Sequence, residues 1–436
     1  MWLIVCLLTW GLLSGPAVGC DDEILISDSE TWNQCLAILT SDMFSPVQTG
    51  LQSQRIECKS LRHKIVAKSA TSTPQTPCVF SHPSFRNGRG LVLVTTPEVA
   101  SNLLSQGALD ERDQYDPYGS SSPGDFVPGP VLEPESGIPA YEVRSLPGSG
   151  KGVIALRHIK RDEIFLLDHP TILIAWNLIG LFWDKTQESF LESALILLPK
   201  DAKRRVLGLS RTNRVPGLPL CDLFKTNVCG FVLGDGTPHI GLFTEFARIN
   251  HACVPNAFYR VSPRHLRMEV VAFRDIEPGE EIYINYAHSA MPSTERHQYL
   301  ESDYGFNCRC SLCTSPELER ATSDRHRREL EALRVDIDMA LRQRRWTDAA
   351  KHASEAVLKL SEAEILAPGI LDYSLTPLYL EHYEELARIY HKVGDVSTAK
   401  SYGDKALQAM LHLRGTDSYD AHELSRFLKM IRQGMQ

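Results

Sequence analysis

A chain of 436 residues, 43% hydrophobic and 23% charged, with a formal net charge of −8, has the composition of a globular protein and room for two or three domains. The mild acidic excess removes bulk electrostatics as a route to nucleic acid, because such binding needs basic patches that neutralise phosphates. No direct nucleic-acid contact is expected.

The first segment, "MWLIVCLLTWGLLSGPAVG", carries no charge before Asp21 and ends in Ala17-Val18-Gly19, the small-x-small form of a signal-peptidase site. It predicts a cleaved signal peptide over 1–19 and hence entry into the secretory pathway. A membrane anchor is the weaker alternative: Gly11, Gly15 and Pro16 interrupt the run, and a spanning helix wants about 20 predominantly apolar residues. No later stretch is long enough, so no membrane span is expected in the mature chain.

Residues 20–105 hold short apolar runs such as Leu91–Thr96, broken by Ser, Thr, Pro and Gly. They predict a small N-terminal region. Cys20, Cys35, Cys58 and Cys78 form an even set able to make disulfides in an oxidising compartment, with the pairing open. Residues 106–139, rich in acid, Pro, Gly and Ser, read as a linker.

From 140 to 290 the pattern is β-like. "YEVRSL" and "VIAL" flank a "GSGKG" turn, and "EIFLLDHPTILIAW", "HIGLF", "LRMEVVAF" and "EEIYINY" follow. Gln187–Gly208 has apolar residues at helical spacing, so a helical insert is expected over about 180–235. The segment 291–316 carries a cysteine cluster, and 321–436 reads as all-helical. There, Ala387, Tyr390, Gly394, Ala399 and Ala406 stand at the offsets of a tetratricopeptide helix-turn-helix, and Ala349 and Ala356 repeat its second half. The plain alternative is a helical bundle. The expected class is mixed α+β: small sheets with a helical insert, then an all-α tetratricopeptide-like domain.

"FNCRCSLC" sets Cys308, Cys310 and Cys313 within six residues. A C-x-C pair cannot bridge to itself without strain, and the spacing suits tetrahedral Zn2+, which needs a fourth ligand. Cys253 is the candidate. It lies in "RINHACVPNAFY", a stretch too polar and turn-rich for an ordinary strand or helix.

Taken together, "GSGKGVIA", "RINHACVPNA" and "IEPGEEIYINY" resemble the SET-domain protein lysine methyltransferases, closest to the SMYD-like branch and to fungal SET proteins with a helical tail. The N-H-S-C-x-P-N motif appears as Asn250 to Asn256 with Ala252 for Ser, G-E-E-[LI]-x-x-x-Y as Gly279 to Tyr286, and the post-SET C-x-C-x2-C as Cys308, Cys310 and Cys313. The resemblance covers about 140–315 and, more loosely, the tail. It implies a SET-type fold in which two short motifs thread through each other as a pseudoknot. It also implies methyl transfer from S-adenosylmethionine to a lysine of a protein substrate. By resemblance, Gly150, Lys151 and Gly152 lie against the cofactor, Asn250 and His251 hold its amino-acid and adenine ends, Phe306 covers the adenine, and Tyr286 is the catalytic tyrosine. Ile284 occupies a position where some members have an aromatic that limits the degree of methylation.

Two departures stand out. Residues 171–240 contain only Cys221 and Cys229, so the MYND zinc module of the SMYD branch is absent. The leader is also unusual, since that resemblance implies nucleus or cytoplasm. The competing reading is a catalytically silent SET scaffold that uses its helical tail to bind a protein partner.

Overall fold

The computed structural model describes residues 57–59, 78–109, 138–178, 184–366 and 375–434. The expected leader, Cys20, Cys35 and most of the expected linker lie outside them. The strands in chain order are β1 (Glu57–Lys59), β2 (Cys78–His82), β3 (Leu91–Thr95), β4 (Tyr141–Leu146), β5 (Gly150–Ala155), β6 (Ile164–Asp168) and β7 (Ile172–Ala175). They continue with β8 (Val228–Val232), β9 (Pro238–Leu242), β10 (Asn250–His251), β11 (Ala257–Ser262), β12 (Arg267–Ala272) and β13 (Glu281–Ile284). The fold is mixed α+β, with small sheets and a helical C-terminal region.

The chain divides into two compact units. The first comprises Met1–Tyr115, Asp168–Ala247 and Pro263–Arg267. Its sheet runs β1-β2-β3-β7-β9-β8. The centre of that sheet is the parallel pair β3–β7, in register Val92↔Ile172 and Val94↔Ile174. Both strands are continuous apolar runs, "LVLVT" and "ILIA", buried at every position, as parallel strands covered on both faces require. Helices α1 (Pro97–Ser105), α2 (Lys185–Leu197), α3 (Lys200–Leu207) and α4 (Pro219–Asn227) belong to this unit. Leu191, Leu195, Val206 and Phe224 from the last three pack on Val92, Ile174 and Ile240.

Several sequence expectations change here. The described strands of the N-terminal region, β1, β2 and β3, belong to the sheet that β7, β8 and β9 complete. A continuous apolar run is compatible with a buried strand but does not name its partner. The helical insert ends at Asn227, and the next five residues are β8. Cys78, one of the four leading cysteines, is disulfide-bonded, its partner outside the described side chains.

The second unit comprises Asp116–Leu167, Arg248–Ser262 and Met268–Gln436. It holds the sheet β10-β13-β5-β4 and the sheet β11-β12-β6. Gly150 to Gly152, expected in a turn, belong to β5; the turn closes earlier, where Ser149 N–H donates to Leu146 O at 3.2 Å. Helix α5 (Ser293–Tyr304) precedes the cysteine segment, and α6 (Glu317–Arg342), α7 (Trp346–Leu366), α8 (Thr376–Lys392), α9 (Val396–Arg414) and α10 (Tyr419–Arg432) follow. Successive helices of this series pack on one another. The turn between α8 and α9 uses Gly394 at φ +86°, a conformation that costs glycine little. Asp395 then caps α9, accepting from Thr398 N–H at 3.0 Å. Buried Arg260 anchors the tail to β11 and β12: it donates to Glu269 and to His412 O, each at 2.8 Å. Among the described residues, no helix is long and apolar enough to cross a membrane.

Candidate active site and metal centre

Everything the sequence singled out as a site residue lies in the second unit. The polar stretch 248–259 is tied to the edge of the sheet by one short strand: β10 pairs in parallel with β13, Asn250↔Tyr283 and His251↔Ile284. β13 pairs on its other edge with β5, Ile282↔Val153. A two-residue strand is weakly held alone, and Asn256 reinforces it. Its buried amide donates to Glu281 O at 2.9 Å and accepts from Tyr283 N–H at 2.8 Å, so a side chain supplies two further ladder bonds to β13. Nearby, burial works against the Glu280 charge, but Arg274 and the Glu277 amide hold that carboxyl below its ordinary value.

Asn250 donates its amide nitrogen to Glu281 Oε1 at 2.8 Å. Gly152 lies directly against this pair. A Cβ there would stand 2.6 Å from Glu281 Oε1 and 3.0 Å from Asn250 Nδ2, so only glycine admits this approach of β5. Gly150 and Lys151 are exposed, and no protein atom lies within 4 Å of a Cβ built on Gly150.

His251 is buried and uses both ring nitrogens. Nδ1 accepts the Tyr286 backbone N–H at 2.9 Å, so the neutral ring carries its proton on Nε2, which faces Cys253 Sγ at 3.3 Å. Around it stand aromatic rings: Tyr286 at 5.3 Å and Phe306 at 6.0 Å between centroids, with Tyr304 4.9 Å from Tyr286. The Tyr286 hydroxyl donates to Ile249 O at 2.5 Å. Burial pushes its phenol above the ordinary value, so the group stays neutral. With its proton committed to Ile249, the phenol oxygen keeps lone pairs to accept from a further donor.

The four cysteines meet as the spacing predicts. The sulfurs of Cys253, Cys308, Cys310 and Cys313 all lie within 4.8 Å of one another, with Cys253 3.9 Å from Cys308 and 3.5 Å from Cys313. A tetrahedral zinc at about 2.3 Å from each sulfur separates the sulfurs by about 3.8 Å, so the donor set fits that ion. Such a centre has a net negative charge. Arg296, almost fully buried, donates to Met291 O at 2.5 Å and lies within electrostatic reach of Cys253 and Cys313, which places a cation beside the sulfurs.

Asn256, Glu281, Arg296 and Tyr304 were not picked out as site residues from the sequence. Asn256 closes the motif that named its neighbours, and Tyr304 stands just before Phe306. Arg296 is an ordinary helical arginine until α5 is placed.

Residues 150–287 match the family described as SET domain, and this part of the chain is similar to SET-type lysine methyltransferases, SMYD proteins among them. Its relatives include the histone-lysine N-methyltransferase set5 of Schizosaccharomyces pombe, 28% identical over 294 residues, 67% of this chain and 84% of that one. The N-lysine methyltransferase SMYD2-B of Danio rerio is 28% identical over 229 residues, 49% of this chain and 50% of that one. Human N-lysine methyltransferase SMYD2 is 33% identical over 100 residues, 22% of this chain and 23% of that one. The chain thus spans most of the yeast relative, half of the fish one and under a quarter of the human one.

Proposed function

We propose that the protein is an S-adenosylmethionine-dependent protein lysine N-methyltransferase. The observation that carries this reading is the parallel pairing of β10 with β13. It sets Asn250, His251 and Tyr286 in one place with Gly152 and Phe306, residues remote from one another in sequence. Two features fit the cofactor: the Asn250 amide oxygen, which has no donor among the described residues, and the half-buried Phe306 ring able to cover a purine face. When bound, S-adenosylmethionine supplies a methyl group activated by a sulfonium.

The protein's share is positioning and electrostatics. The acceptor lysine must arrive or become neutral, against a free pKa of about 10.4; partial burial and a nearby positive charge both lower it. Tyr286, its proton held by Ile249 O, offers lone pairs that align the amine, and Tyr304 packs beside it as a second wall. Asn250, His251 and Phe306 hold the cofactor, with Gly152 permitting close approach and Gly150 and Lys151 at the exposed entrance. Zn2+ bound by Cys253, Cys308, Cys310 and Cys313 pins the segment that carries Tyr304 and Phe306. The scaffold alternative loses weight because every one of these side chains is present.

The helical tail we read as tetratricopeptide-like, supported by Gly394 and the capping Asp395 at the helix-turn-helix turn. Its role would be to bound the substrate cleft or dock a protein partner. The leader and the Cys78 disulfide support a secretory route.

Calorimetry on the purified chain tests the central claim. Micromolar binding of S-adenosylmethionine, about −8 kcal/mol, is expected, and Asn250→Ala should weaken it about tenfold or more. A correctly folded chain that binds none would sink the proposal. A separate outcome concerns product. With aliphatic Ile284 in place of an aromatic, peptide assays read by mass spectrometry should show di- or trimethylated lysine; strictly monomethyl product would count against that.

A further inference from the structure

We propose that Glu281 is a positioning residue that fixes which end of the Asn250 amide is presented to the cofactor. The proposal rests on the methyltransferase reading. A carboxylate only accepts hydrogen bonds, so the amide group 2.8 Å from Glu281 Oε1 must be the nitrogen. The Asn250 oxygen is thereby turned the other way, and among the described residues no donor reaches it. An amide oxygen accepts from an ammonium; a reversed amide would present its NH2 and select a carboxylate. Glu281 therefore sets the site for the α-ammonium at the amino-acid end of S-adenosylmethionine.

Glu281 is itself held. Its second oxygen accepts from the Tyr283 hydroxyl at 2.7 Å. Burial first, and then Glu281, push the Tyr283 phenol up, which keeps it a donor. Gly152 makes room for the pair, since a Cβ there would collide with both Asn250 and Glu281. Both carboxylate oxygens are therefore engaged, Oε1 by Asn250 and Oε2 by Tyr283.

The test uses the full chain and two ligands, S-adenosylhomocysteine and 5′-methylthioadenosine, the second lacking the amino-acid end. Binding of each is measured by calorimetry to wild type, Glu281→Ala, Glu281→Gln and Tyr283→Phe. Glu281→Ala should lose at least about tenfold toward S-adenosylhomocysteine, the worth of a charged hydrogen bond, with 5′-methylthioadenosine unaffected. Glu281→Gln should restore most of the loss, because its amide oxygen still accepts from Asn250. Tyr283→Phe, which keeps the fold if Glu281→Ala does not, should show a smaller loss with the same ligand dependence. In turnover, KM for S-adenosylmethionine should rise more than kcat falls. Equal losses for both ligands, or none, would overturn the proposal while leaving the methyltransferase reading intact. A wild type that binds neither ligand would overturn both.

Discussion

Replacing Tyr286 with phenylalanine is expected to leave S-adenosylmethionine binding within about twofold and to slow methyl transfer by about 10²–10³-fold. The ring stays, so its contacts with His251 and Tyr304 stay. What goes is the oxygen. Its hydrogen bond to Ile249 O fixes the direction of its lone pairs, and that direction is what an incoming amine would meet. A group that acts only at the reacting atoms lowers kcat and kcat/KM together. Single-turnover kinetics beside equilibrium binding separates the two quantities. If the Tyr286→Phe variant transferred methyl at the wild-type rate, Tyr286 would be a core tyrosine and the catalytic assignment would fall.

Removing the metal should have the largest effect on structure. The chain as purified is expected to hold one zinc per molecule on Cys253, Cys308, Cys310 and Cys313. A structural zinc site contributes folding energy directly, because the preformed site does not exist in the unfolded chain. The segment after α5 has little else to hold it: its local apolar cluster is Leu300 and Leu312 with the cysteines themselves and a few aromatic rings. Chelation, or Cys253→Ser, should therefore lower the melting temperature and release Phe306. It should also abolish cofactor binding, since Cys253 sits against His251 Nε2 and His251 Nδ1 holds the Tyr286 amide. Elemental analysis and thermal unfolding with and without chelator give the answer. Zinc-free protein with unchanged melting and binding would remove the metal from the account.

Much of the local structure and the candidate site residues were legible from the residues alone. Three thiols spaced C-x-C-x2-C point to a metal site because ligand spacing is a local property, while Cys253 was only a candidate fourth ligand until the fold brought its sulfur to the others. Runs such as "LVLVT", "ILIA" and "EIYI" declare themselves strands, and the periodic tail declares itself helical, because side-chain period follows backbone geometry. The motif residues Asn250, His251 and Tyr286 were legible for a similar reason, each embedded in a short recognisable string. Only the tertiary structure decided partnership. β3 finds β7 across a long intervening stretch, which places the described strands of the N-terminal region in a shared sheet, and nothing in an apolar run names its neighbour. Glu281 looks like one more acid in "GEE" until β13 lies between β10 and β5 and its carboxylate meets Asn250. Arg296 becomes the cation beside the sulfurs only when α5 is laid against Cys253. Hydrogen bonds between distant residues depend on ångström-scale approach, and that approach is set by the packing of whole elements.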